Sequence, residues 1–256
     1  MSIHPTAVVH PGAQLADGVI VEPYTIIGPS VRVGPGTRIG PHCVIEGRTT
    51  IGARCRLYAG VVAGAIPQDL KYRGEQTSVV IGDDNTIREY VTINLGTQAS
   101  GKTEIGQGNL IMAYAHIAHD CVIGDGCIVA NNGTLAGHVI MEDQAIIGGL
   151  SAVHQFVRIG QMAIVGGCSK VVQDVPPFST CDGHPARCYG INAEGLRRRG
   201  MTREIRAHLK QAFRILCNEG LTIPHALDQI ERQVDTCPEV ASLVAFIRAS
   251  HRGICR

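Results

Sequence analysis

Tryptophan is absent from the 256 residues, and aromatic side chains make up only 4% of the chain. A globular core that closes on large rings is therefore disfavoured, and a core of small interior positions is favoured. No apolar run reaches the roughly 20 residues of a membrane-spanning helix, so no membrane insertion is expected. The ten cysteines include no C-x-x-C pair, which removes the usual sequence signature of a zinc ribbon or a thioredoxin-like site. Charge of one sign is also missing: the formal net charge is +1, so no broad basic field points to nucleic acid. The first residues carry no basic-then-apolar leader, and a cytoplasmic location is the expectation. Glycine, by contrast, is plentiful at 31 residues, as a chain that turns at short intervals requires.

What is present is a period of six. Aliphatic residues recur from Ile3 through Val9, Leu15, Val21, Ile27, Val33, Ile39, Ile45 and Ile51 to Leu57, again at Ile81, Ile87 and Ile93, and then without a break from Ile105 to Val171. A glycine often follows the aliphatic, as at Gly28, Gly34, Gly40, Gly124 and Gly148, and a small or β-branched residue stands two places before it, as at Thr25, Val31, Cys121, Cys127 and Ala145. Side chains alternate along a strand, so both positions point inward. The glycine is then expected to let the chain turn. Three such strands make an 18-residue triangular coil, and successive coils pair through the backbone. Cys43, Cys55, Cys121 and Cys127 fall at the small inward position and read as packed side chains in a reducing compartment.

Two segments, 64–80 and 94–104, break the period and read as loops projecting from the coil; the first groups Gln68, Asp69 and Lys71. After Val171, Pro176-Pro177 closes the repeat. Thr202 can cap a helix carrying Ile205, Leu209, Ala212, Phe213 and Leu216, with Gly220 as its stop, and further helices are expected near 223–235 and 238–250. The division is thus a repeat domain at 1–187 and a helical domain at 188–256.

The residue before each aliphatic should face out. It is apolar in seven of the twelve repeats from Ile105 to Val171, against four of ten from Ile3 to Leu57. A homo-oligomer burying mainly the second half follows from that contrast. His116, His119, His138 and His154 lie in the same half. Residues 18 apart stack, so His119, Gly137 and Gln155 form one column with His138 and His154 beside it. His116-x-x-His119 could offer metal ligands, but zinc sites usually add cysteine or a helix-borne His-Glu-x-x-His. No metal is expected.

The repeat resembles that of the hexapeptide-repeat acyltransferases, which implies an all-β left-handed parallel β-helix followed by a small α-helical domain. The strings AYAHIAHDCVIG (113–124), ANNGTLAGHV (130–139), GGLSAVHQF (148–156), PQDLKYRGE (67–75) and INAEGLRRRG (191–200) narrow this to the UDP-N-acetylglucosamine O-acyltransferase family over essentially the whole chain. The resemblance implies a cytoplasmic homotrimer that moves a long 3-hydroxyacyl chain from acyl carrier protein to a UDP-amino sugar at the start of lipid A synthesis. The donor's phosphopantetheine thioester takes the place of any cofactor. It implies His119 as general base, Asp120 as its orienting carboxylate and the Gly137 amide as oxyanion donor. Asp69, Lys71, His138, His154 and Gln155 would line the sugar and phosphate pocket. His116 would reach the substrate from the facing subunit, and Asn192, Glu194, Arg198 and Arg199 would meet the nucleotide. Gly167 matches the family's acyl-length ruler, which implies a chain of about C12–C16. Where the family usually shows His-Arg-Gly-Thr, this chain has Asn94-Leu95-Gly96-Thr97, leaving a 3-hydroxyl or a 3-amino acceptor open. A CoA-dependent acetyltransferase, a zinc-dependent hydratase of the carbonic anhydrase type and a catalytically silent scaffold are the competing readings.

Overall fold

In the computed structural model, which describes residues 1–217 and 220–256, the chain is a left-handed parallel β-helix followed by four helices. Three sheets of eleven, nine and eight strands form its walls. Each rung stacks on the rung one coil away, as Val8 on Ile26 and Ile128 on Ile146. The aliphatic of every six fills the interior: Ile27, Ile39, Ile117, Val129 and Leu135 are at most 1% exposed. The small residues two places before also lie inside and bond to the neighbouring coil, as Thr25 Oγ1 donates to the Gly40 carbonyl at 2.6 Å. Cys43 and Cys121 are buried free thiols, pushed up by burial to about 11 and about 12, and are unreactive packing groups. Ile3, on the first strand, is 39% exposed.

The coil does not turn where the glycines suggested. Left-handed φ values fall three residues after the aliphatic, at Tyr24, His42, Tyr114, Asp120, Asn132, His138, Leu150 and Phe156 among others. The glycines directly after the aliphatic answer to a different constraint, the close approach of the next coil. A Cβ on Gly34 would lie 2.6 Å from the Gly52 carbonyl carbon, and one on Gly148 would lie 2.5 Å from the Gly167 nitrogen. The corner position therefore accepts a side chain, and this is where Asp120 and His138 stand.

Both projecting segments are shorter than the sequence indicated. Ser78–Ile81 pairs with Arg48–Ile51 and Lys102–Ile105, and Val62–Ala65 pairs with Thr92–Asn94. Val79 and Thr103, both 0% exposed, are ordinary inward positions that the loop assignment had absorbed. What projects is residues 66–77 and 95–101.

The coil closes with Ser179–Gly183, to which Ala186–Ile191 adds antiparallel across the boundary drawn at residue 187. Helices α1 (Ala193–Arg198), α2 (Arg203–Leu216), α3 (Ile223–Gln233) and α4 (Pro238–Arg248) follow. Thr202 Oγ1 accepts from the Ile205 amide and starts α2. That helix ends at Leu216 with Cys217 as its C-cap, short of Gly220. The apolar faces of the helices form a second core around Phe178, Leu209, Phe213, Ile230, Leu243 and Phe246. A final segment returns to the coil, where the Cys255 amide donates to the Asp174 carbonyl at 2.8 Å.

The outward apolar residues of the second half are less exposed than expected. Val8, Ile20 and Ile26 in the first half show 63%, 38% and 47%, and Val122 and Ile140 in the second show 38% and 39%. The difference lies in stacking. Leu110, Ile128, Ile146 and Ile164 sit on successive rungs of the eleven-stranded sheet as one continuous half-buried ladder.

Candidate active site

His119 and Asp120 occupy one corner of a coil, between His116–Ile117 and Val122–Ile123. The corner backbone gives Asp120 a φ of +60° and turns its carboxylate inward, to 4% exposure. There it meets the second loop. The Thr97 amide donates to Oδ1 at 2.9 Å, the Thr97 hydroxyl to Oδ2 at 2.6 Å, and the Ser100 hydroxyl to Oδ1. The Asp120 amide in turn donates to Thr103 Oγ1 at 2.9 Å. Burial by itself would push the carboxyl up, but the hydrogen bonds from Ser100, Thr97 and His119 together outweigh it and hold the group down to about 2. Asp120 is thus an acceptor at any working pH.

That fixes the imidazole. His119 Nδ1 lies 2.8 Å from Asp120 Oδ2, and an ionised carboxylate only accepts, so Nδ1 carries the proton and Nε2 presents its lone pair. One coil along, Gly137 lies against the ring: a Cβ there would stand 2.5 Å from Cε1 and 2.6 Å from Nε2. Only hydrogen fits. At equivalent corners the next coil's aspartate takes the amide, as Asp125 does for Gln107 and Asp143 for Asp125, both at 2.8 Å. The next coil offers Gln155 to Gly137, and among the described hydrogen bonds the Gly137 amide donates to none. A free N–H beside an unprotonated imidazole nitrogen is the pairing that acyl transfer to an alcohol needs.

His138 completes the cluster. Its Nε2 is 3.6 Å from Asp120 Oδ2, its ring meets His119 edge-on at 5.1 Å, and Phe156 stacks on its other face at 4.3 Å with 7° between planes. Burial lowers its pKa, opposed by Asp120 and assisted by His119, with Asp69 also acting to raise it. Asp69 stands on the first loop, and its Oδ1 accepts from the Lys71 amide at 2.9 Å. His116 sits on the nine-stranded sheet with Nδ1 2.7 Å from Thr92 Oγ1; burial, then the charge of His119, lowers its pKa. His154 and Gln155 lie exposed on the following coil.

The tail residues are engaged locally. Asn192 caps α1 through Gly195 and donates to the Met162 carbonyl at 3.0 Å. Glu194 bonds Arg197 and Arg198, which hold its exposed carboxyl at about 2. Arg199 is the C-cap of α1. Among the described residues, no hydrogen bond or ion pair joins these four to the histidine cluster. Gly167, at another corner, is exposed, and a Cβ there would lie 3.2 Å from the Gly149 carbonyl oxygen.

The structure also corrects the metal-ligand pairing. The atoms that converge within 4.8 Å belong to His119, Asp120 and His138, whereas His116, on the adjoining strand, faces Thr92. Two of these three residues, His119 and Asp120, are already bonded to each other at 2.8 Å. Asn94 and Leu95 are both buried. Leu95 is 6% exposed and packs towards Gly47, while Asn94 Nδ2 donates to the Ile66 carbonyl at 3.1 Å. Thr97, Ser100 and Phe156 are site residues that the sequence reading missed. The only signal for the first two was a hydroxyl-bearing loop, and for Phe156 its place 18 residues after His138.

The depressed Asp120 pKa has a measurable consequence. A carboxyl held at about 2, against ~4 when unfolded, stabilises the fold fully above about pH 4 and loses that contribution as pH falls through about 2. Urea unfolding should show the parent's advantage over Asp120→Asn shrinking across that window. An advantage that stays constant would mean the carboxylate is not held in this way.

The family model described as "Udp N-acetylglucosamine O-acyltransferase; Domain 2" matches residues 174–255, and the bacterial transferase hexapeptide model matches 30–65 and 102–137. The curated acyl-[acyl-carrier-protein]–UDP-N-acetylglucosamine O-acyltransferase of Anaeromyxobacter sp. is 49% identical over 257 residues, covering 100% of both chains, and that of Thermodesulfovibrio yellowstonii is 50% identical over 84% of each. Among solved structures, a UDP-N-acetylglucosamine acyltransferase from Bacteroides fragilis superposes with a TM-score of 0.97 at 42% identity, covering 99% of both chains. LpxA from Acinetobacter baumannii gives 0.96 at 42% with the same coverage.

Proposed function

The chain belongs to the UDP-N-acetylglucosamine O-acyltransferase family, and we propose that it performs the reaction for which those relatives are named, passing an acyl chain from acyl carrier protein to UDP-N-acetylglucosamine as the first step of lipid A synthesis. The observation that carries the mechanism is the His119 ring lodged between the Asp120 carboxylate and Gly137. His119 Nε2 removes the proton from the sugar 3-hydroxyl as its oxygen attacks the thioester carbon. The Gly137 amide donates to the resulting oxyanion. Collapse breaks the carbon–sulfur bond, and the proton on Nε2 passes to the departing phosphopantetheine thiolate. Asp120 holds the tautomer and offsets the transient charge on the imidazolium.

Asp69, Lys71, His138, His154 and Gln155 are assigned to the sugar and phosphates, His116 to the substrate from a neighbouring copy, and Asn192, Glu194, Arg198 and Arg199 to the nucleotide. Gly167 leaves its corner unfilled, which favours a long hydroxyacyl chain of about C12–C16. The test is to incubate the protein with UDP-N-acetylglucosamine, its 3-amino analogue and a ladder of 3-hydroxyacyl carrier proteins, then weigh the products. A long-chain monoacyl UDP-sugar is expected. Turnover with acetyl-CoA alone, or stoichiometric zinc in the purified active protein, would instead favour the acetyltransferase or hydratase reading.

A homotrimer is part of the proposal, supported by the Leu110–Ile128–Ile146–Ile164 ladder, a continuous strip of half-buried aliphatics on the outer face of one sheet. Ile146→Glu places a charge in its middle and is expected to shift the sedimenting species to monomer, with activity lost in step. A variant that remains trimeric would move the contact face elsewhere. Among the described residues, no helix is long and apolar enough to cross a membrane.

A further inference from the structure

The segment after α4 runs between the helical core, which takes Ile254, and the final turn of the coil, where Asp174 holds it. Asp174 is 1% exposed. Its Oδ2 accepts from the Ser250 hydroxyl at 2.7 Å and its Oδ1 from the Arg158 amide at 2.8 Å. Its own amide donates to the Gly253 carbonyl at 2.9 Å. Asp174 thus anchors the segment on both sides of Arg252, at Ser250 through its carboxylate and at Gly253 through its backbone amide. The Arg252 side chain then runs along the coil, with Nε donating to the Val172 carbonyl at 3.3 Å and Nη2 standing 3.2 Å from His154 Nδ1.

His154 Nδ1 has a second neighbour, the Gln155 carbonyl, also at 3.2 Å. The two neighbours demand opposite protonation of one nitrogen. A carbonyl oxygen needs Nδ1 to carry a proton, and a guanidinium, which has donors only, needs Nδ1 to be bare. A charged donor makes the stronger bond, and it would face an N–H head-on if Nδ1 were protonated. We propose that Arg252 is a positioning residue that holds His154 as the neutral tautomer with its proton on Nε2, so that the ring can only donate to an oxygen acceptor of the nucleotide sugar. The effect on substrate rests on the assignment of His154 to that pocket; the effect on the ring does not. The C-terminal segment thereby sets the hydrogen-bond polarity of a pocket wall built 98 residues earlier in the chain.

The test uses the full-length protein with 15N-labelled histidine and the Arg252→Met variant, which keeps the apolar stem and leaves the Asp174 contacts in place. Long-range proton–nitrogen spectra should show Nε2 protonated and Nδ1 bare in the parent. In Arg252→Met the proton should move to Nδ1, since Gln155 is then the remaining partner. The KM for UDP-N-acetylglucosamine should rise about tenfold with kcat within about twofold, the scale of one lost bond to a charged acceptor. Arg252→Lys, which retains a charged donor, should recover most of both. A parent already protonated on Nδ1, or a variant whose tautomer does not change, would overturn the proposal. A tautomer that moves while KM stays put would uphold the positioning role and overturn the placement of His154 at the sugar.

Discussion

His119→Ala is expected to lower kcat about 10³-fold, the scale of a lost general base, while thermal stability changes by about 1 kcal/mol or less. The second expectation follows from what surrounds the ring. Removing the imidazole does not orphan the buried carboxylate, because Asp120 still accepts from the Thr97 amide, the Thr97 hydroxyl and the Ser100 hydroxyl. The His119 side chain is 15% exposed, so the stability that is lost comes from its packing against Gly137 and His138 and not from an unpaired carboxylate. Activity and stability should therefore separate. A variant that retains normal turnover would exclude His119 as the base, and one that fails to fold would show the corner to be structural.

Gly137→Ala should be nearly as damaging through a single methyl group. The backbone at 137 is not in the left-handed region, so alanine imposes no conformational strain of its own. Its Cβ, however, would stand 2.5 Å from His119 Cε1, a separation that atoms do not tolerate. The imidazole must swing out, and doing so breaks its 2.8 Å bond to Asp120. Displacements of about 1 Å in a catalytic group cost on the order of 100-fold, and at least that loss in kcat is expected, with a crystal structure showing the ring rotated. Full activity with the ring unmoved would mean that the corner has slack the present geometry denies. The two substitutions probe one contact from its two sides, so their effects on kcat should not add.

Much of this was legible in the chain before any coordinates. A period of six with an inward aliphatic dictates short strands and stacked coils, and the 18-residue spacing alone puts Gly137 over His119. The register failed only where the loops begin and end, because the insertions put the paired residues Thr49, Val79 and Thr103 of adjacent coils out of the 18-residue spacing. The turning position was misplaced for a related reason. Glycine marks the spot where backbones crowd, while the left-handed corner is borne by residues such as Asp120, His138 and Phe156 that carry no conformational signature. The supporting contacts were out of reach altogether. Thr97 and Ser100 meet Asp120 across a loop whose path no periodicity describes, and Arg252 meets His154 from a separate domain. Such contacts depend on side-chain direction at the end of an irregular path, and a repeat pattern is silent about that.

The metal question illustrates how geometry narrows chemistry. His119, Asp120 and His138 do offer three ligand atoms within 4.8 Å, and by count alone zinc would fit. But the Asp120 lone pairs are already directed at Thr97, Ser100 and His119, and that saturation is what a charge-holding carboxylate in a hydrogen-bonded dyad requires. The same three residues thus favour proton transfer over metal binding.

The role of His119 is tested most directly by the pH dependence of kcat/KM for hydroxyacyl carrier protein, in the parent and in His119→Ala. Proton abstraction by this imidazole predicts that the parent rate falls tenfold per pH unit on the acid side, as one base becomes protonated, and that the small residual rate of the variant is flat over the same range. An acid limb that survives intact in His119→Ala would assign the proton transfer to another group and contradict the mechanism.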